Sequence, residues 1–155
     1  KSFNFTQRVN YINSLVKIHY EFRQSEFSKP SAIDGGAFGD RHICNVKCII
    51  KVKESHPSFS ITELSLFSRL FRKPNEINYK VNCIDNKMRK ILEHNKILNE
   101  IFLIVKNSPE FSPLIEGKMN GNIYELNITY NTQQKDSKAL NSVNEFCKSL
   151  IESLN

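Results

Sequence analysis

The chain has 155 residues, 39% of them apolar, with 11 Phe, 5 Tyr and no Trp. That length supports one hydrophobic core without disulfide or metal staples, and no run approaches the roughly 18 apolar residues of a membrane span. The net charge of +6 fits an acidic partner, nucleic acid or simple solubility.

Residues 6–27 read as a long helix that Thr6 can cap. Val9, Ile12, Val16 and His19 make one apolar stripe, and Tyr11, Leu15, Ile18 and Phe22 make a second beside it. Two stripes are wider than a surface helix needs. Either the helix is half sunk in its own core, or Tyr11, Leu15, Ile18 and Phe22 dock on a partner chain. Residues 28–41 form a loop by composition, with Asp34-Gly35-Gly36-Ala37-Phe38-Gly39 at its centre.

Residues 42–53 alternate cleanly. Cys44, Val46, Cys48, Ile50 and Val52 fall on one face, and Asn45, Lys47, Ile49, Lys51 and Lys53 on the other. A period of two marks a strand with one face buried and one wet. His56-Pro57 breaks the chain. Residues 59–72 fit both a capped helix and a strand. The turn at Lys73-Pro74-Asn75 and the clear strand after it favour a hairpin. That next strand, 76–84, sets Ile77, Tyr79, Val81 and Cys83 against Asn78, Lys80 and Asn82. Asp85 then caps a helix that reaches about 106, where Ser108-Pro109 ends it.

Residues 114–119 and 122–130 flank Asn120-Gly121, a strong hairpin signal. Tyr124, Leu126, Ile128 and Tyr130 form the buried face there. A polar linker, 131–137, leads to a last helix over 138–154 with the stripe Leu140, Val143, Cys147, Leu150 and Leu154. The whole is a single α+β domain, 1–155: a mostly antiparallel sheet, meander plus hairpin, with helices packed on one face and a long N-terminal helix. It divides at about 106 into a first unit and a hairpin with its C-terminal helix.

The candidate chemistry is thin. The glycine loop at 34–39 with Ile49-Ile50-Lys51-Val52 behind it echoes a kinase glycine loop, but no His-Arg-Asp or Asp-Phe-Gly segment follows, and there is no Walker lysine. His42, Cys44, Cys48 and His56 invite zinc. Four residues of strand, however, separate Cys44 and Cys48 by roughly 13 Å, too far for one ion. All four cysteines, Cys44, Cys48, Cys83 and Cys147, sit in apolar patterns, as buried free thiols in a reduced intracellular protein do. No catalytic pair, cofactor or small-molecule substrate is expected. Lys47, Lys51 and Lys53 line one wet strand face and Lys80 another. If those strands are neighbours, they form a Lys/Asn surface able to neutralise phosphates, although it lacks the exposed aromatics that stack bases.

The first helix, with Arg8-Val9-x-x-Ile12-Asn13-x-Leu15, and the strand pair 59–84 running into helix 86–106 give an element order that resembles RWD domains. Within that group it resembles the RWD-bearing inner-kinetochore subunits of yeasts. The tyrosine-proline turn of many RWD domains is absent. The resemblance implies a non-catalytic protein–protein interaction module in a nuclear multi-subunit assembly, dimerising with itself or another protein through the N-terminal helix. The alternative is a basic nucleic-acid-binding domain that uses Lys47, Lys51, Lys53 and Lys80.

Overall fold

A period of two, repeated along seven segments, builds a single antiparallel sheet in the order β1-β2-β3-β7-β6-β4-β5. The computed structural model describes residues 2–11, 14–25, 41–65, 78–107, 111–132 and 137–154, and before residue 43 it describes backbone and register. The strands are β1 (Ser2–Tyr11), β2 (Ser14–Ser25), β3 (Arg41–Lys51), β4 (Phe59–Glu63), β5 (Tyr79–Cys83), β6 (Leu114–Asn120) and β7 (Ile123–Thr132). Three helices join them: α1 (Asn86–Glu93), α2 (Lys96–Asn107) and α3 (Ser137–Leu154). The α+β class and the antiparallel sheet expected from the sequence are present.

The sheet has two unlike faces. On one, Cys44, Val46, Cys48 and Ile50 of β3 continue across Tyr124, Leu126, Ile128 and Tyr130 of β7 to Ile115 of β6 and to Phe59 and Ile61 of β4, all buried. Met88 and Leu92 of α1, Leu98, Ile101 and Phe102 of α2, and Val143, Phe146 and Leu150 of α3 close that face in one apolar cluster. Tyr79 of β5 stacks on Phe102 with ring centroids 4.8 Å apart, and Phe111 meets Tyr130 at 5.0 Å. Tyr79 also donates its hydroxyl to the Leu92 carbonyl at 2.9 Å, tying β5 to the end of α1.

Local signals explain the boundaries. Gly121 takes φ 63, in the left-handed region that glycine enters without a steric cost. The turn lies one residue later than expected, on Gly121 and Asn122, because Asn120 and Ile123 already pair. Asp85, extended at φ −74 and ψ 122, accepts the Met88 N–H at 2.6 Å and starts α1. Arg89 reaches back to the Cys83 carbonyl through both Nε, at 3.1 Å, and Nη2, holding the end of β5 against the helix.

Two expectations need correction. The single helix of 86–106 is two, because Asn95 turns its side-chain carbonyl onto the N–H groups of Ile97, at 3.0 Å, and Leu98, at 3.1 Å, and caps a new start. The long helix over 6–27 is replaced by β1 and β2, paired from Ser2↔Arg23 to Tyr11↔Ser14. The physical reason lies in β2. There Val16, Ile18, Tyr20 and Phe22 alternate with Lys17, His19, Glu21 and Arg23, a period of two made of strand-favouring residues. Both helical stripes run across positions 12 and 13, between the two strands. The helix that leads an RWD domain thus has strands in its place. Of the 59–72 segment, 59–63 is strand, as favoured, and 66–72 lies outside the described residues, as do 28–40 with the glycine loop and the turn at 73–75.

Candidate interaction surfaces

The second face of the sheet is built from the residues between the buried ones. β3 contributes Ile43, Asn45, Lys47, Ile49 and Lys51; β7 contributes Ile123, Glu125, Asn127 and Thr129; β6 contributes Leu114, Glu116, Lys118 and Asn120. All of them are half-buried or exposed, and among the described residues no helix covers them. Register lines them up in cross-strand rows: Lys47 opposes Asn127, which opposes Glu116, and Asn45 opposes Thr129, which opposes Leu114.

Glu125 is the centre of this face. Its carboxylate accepts from the Asn120 amide at 3.1 Å and pairs with the Lys47 ammonium at 3.1 Å. The Asn120 hydrogen bond first, and then Lys47, hold its carboxyl below the usual carboxylate range. Thr129 donates to Asn45 at 3.0 Å in the next row. Lys47 and Asn120 are thus matched to Glu125, and Asn45 to Thr129, with isoleucines set among them.

The four lysines proposed as a basic surface are not brought together. Lys47 and Lys51 lie on β3, and Lys53 lies just beyond its end. Lys80 lies on β5, with β7, β6 and β4 between. At about 4.8 Å per strand that separation is roughly 19 Å. Glu125 and Glu116 stand among the lysines, and the described open face presents no aromatic ring for base stacking.

The N-terminal set changes character on strands. Register places Phe22 opposite Cys44 and Ile18 opposite Cys48, in the rows of the helix-covered face. Tyr11 opposes Ser14, in the same parity of β2 as Ile18 and Phe22. Leu15 has the other parity. Tyr11, Leu15, Ile18 and Phe22 therefore do not form one stripe, because a strand separates neighbours that a helix would align.

The cysteines stay in the core. All four are buried free thiols. Burial pushes Cys44 up to about 11, and a hydrogen bond with Cys48, added to burial, raises Cys147 well above the thiol range. Nucleophilic cysteines need the opposite shift. No group of three metal-ligating side chains occurs among the described residues, and none of the described helices is long and apolar enough to cross a membrane.

Two features escaped the sequence. Gly117 lies where β6 is crowded by side chains: a Cβ there would come within 2.5 Å of both the Phe59 ring and the Tyr124 hydroxyl. Tyr124 in turn donates to the Pro57 carbonyl at 2.8 Å, with His56 edge-on to its ring at 5.9 Å, which fixes the β3–β4 connection over the sheet end. Only the glycine itself, inside an alternating strand, signalled a close approach. No protein-family model matches the chain, and neither does any curated protein or solved structure.

Proposed function

We propose that this chain is a non-catalytic protein–protein interaction module of a larger assembly, docking through the open face of its sheet. The observation that supports this reading is the asymmetry of the two faces. Three helices close one face, while the other displays half-buried Ile43, Ile49 and Ile123 beside the Lys47–Glu125–Asn120 and Asn45–Thr129 groups. Apolar centres ringed by paired polar groups suit a protein surface of mixed charge. A polyanion asks instead for unpaired, contiguous cations.

The nucleic-acid alternative keeps the net charge of +6 in its favour. Against it stand the Lys47–Glu125 pair and the distance of Lys80. Four free thiols fit a reducing, intracellular compartment, and the RWD-type resemblance, which without the leading helix rests on the β4–β5 pair and the helices after it, adds a nuclear assembly, such as a kinetochore, to the proposal; fractionation of the tagged protein checks that address.

The deciding experiment compares the parent with Ile49→Asp by quantitative affinity purification from native cells and by titration on labelled single- and double-stranded DNA. The module reading expects a set of proteins held by the parent and lost by a still-folded Ile49→Asp, with no salt-dependent DNA retention. Identical protein sets, or DNA affinity that collapses with salt and with loss of Lys47, Lys51 and Lys53, contradict it.

A further inference from the structure

The sheet ends on one side at β1, whose ten residues, Ser2–Tyr11, pair with β2 without a bulge. Among the described residues nothing pairs with its outer edge. Half of its backbone N–H and C=O groups therefore face away from β2, in the geometry that accepts another strand. Within the strand itself two usual safeguards are missing: β1 holds no proline and no lysine, and Arg8 is its one charged residue. The opposite described edge, β5, is half as long, five residues, and carries Lys80.

We infer that two copies of this chain pair edge to edge through antiparallel β1 strands. This deepens the interaction-module reading by naming a second copy as partner at the edge; docking on the open face stands or falls separately. Self-pairing about Gln7 sets Phe3 opposite Tyr11 and Phe5 opposite Val9, with Gln7 opposite itself. The alternate residues then oppose Asn4 to Asn10 and Thr6 to Arg8. No like charges meet, because Arg8 faces Thr6 rather than its own copy. A shift by one residue would set Phe3 against Asn10 and mix the apolar and polar rows. A shift by two would leave Phe5 against Gln7. The pairing is isologous, so the two-fold closes the assembly at a dimer, with one continuous sheet running through both copies.

The Thr6–Arg8 contact occurs twice in such a dimer and gives the test. Sedimentation velocity over a concentration series should show a monomer–dimer equilibrium for the parent. Thr6→Lys opposes two like-charge pairs and weakens the dimer roughly fivefold or more, whereas Thr6→Glu opposes two unlike pairs and tightens it by a similar factor. Adding Arg8→Glu to Thr6→Lys also opposes two unlike pairs, so the double variant associates at least as tightly as the parent, as Thr6→Glu does. Circular dichroism checks that each variant keeps the parental fold. A parent that stays monomeric up to its solubility limit overturns the inference. So does a dimer whose affinity is the same in Thr6→Lys and Thr6→Glu, since its interface then lies elsewhere. In either case the Ile49→Asp comparison still decides the open face.

Discussion

β7 shows two environments on one strand. Tyr124, Leu126, Ile128 and Tyr130 are buried under the helices, while Glu125, Asn127 and Thr129, one residue away in each case, face the open side. The backbone, register and neighbours are shared; what differs is whether a helix packs above. The comparison teaches that burial is concentrated on one face of this sheet, which leaves the other for the docking proposed above. The covered face carries the free energy of folding, and the open face is free to vary in composition with little cost to the fold.

That division can be broken most directly by paired substitutions on adjacent residues. Leu126→Ala, at a fully buried position, should cost about 2 to 5 kcal/mol in urea denaturation. Asn127→Ala should stay within about 0.5 kcal/mol of the parent. Similar losses at both positions would mean that the open face is packed after all.

Gly117→Ala sharpens the same contrast inside the covered face. The added methyl would lie 2.5 Å from Phe59 and Tyr124, so the rings must move, and overpacking of this kind costs about 1 to 3 kcal/mol. Its thermal midpoint should fall below that of an alanine placed at open-face Lys118, next along β6. Asp85→Ala removes the carboxylate that accepts the Met88 N–H and should cost about 1 kcal/mol, read as a lower urea midpoint.

The smallest effect belongs to the open face itself. Because Asn120 and Lys47 hold the Glu125 carboxyl below its ordinary range, its contribution is complete above the unfolded carboxylate value and is lost as pH falls through the lowered folded value. Lys47 is 43% exposed, so solvent screening keeps the pair below about 1 kcal/mol. Glu125→Gln should therefore be slightly less stable than the parent at neutral pH and converge with it in acid. Urea midpoints across that range measure the convergence.

The parts legible in the sequence are those set by neighbours along the chain. Alternation at 42–53 marked β3 and its buried side, Asp85 announced α1, and the Asn120-Gly121 signal located the β6–β7 hairpin. The final helix, 138–154, matches α3 almost to the residue. Misreadings occurred where two periods compete or where a partner is distant in sequence. Val9, Ile12, Val16 and His19 happen to keep helical spacing across the residues that join β1 to β2, which hid the hairpin. Met88, Ile91, Leu92, Leu98 and Phe102 keep helical spacing on both sides of His94-Asn95, which masks the break that the Asn95 cap makes. Whether Lys80 neighbours Lys47 is left open by the sequence because strand order is a non-local property, and nothing near Glu125 in sequence announces that Lys47, on another strand, pairs with it.

Thiol accessibility tests the two-face account most directly. Cys44 and Cys48 lie on the covered face of β3 and are 0% exposed; Asn45→Cys and Asn127→Cys place reporters on the open face of β3 and of its neighbour β7. In native buffer the introduced thiols should label at close to the rate of a free thiol. Cys44, Cys48, Cys83 and Cys147 should label slowly, and all should react once the chain is unfolded in denaturant. Rapid native labelling of Cys44 or Cys48, or protection of the introduced cysteines equal to theirs, would contradict the division of this sheet into one closed and one open face.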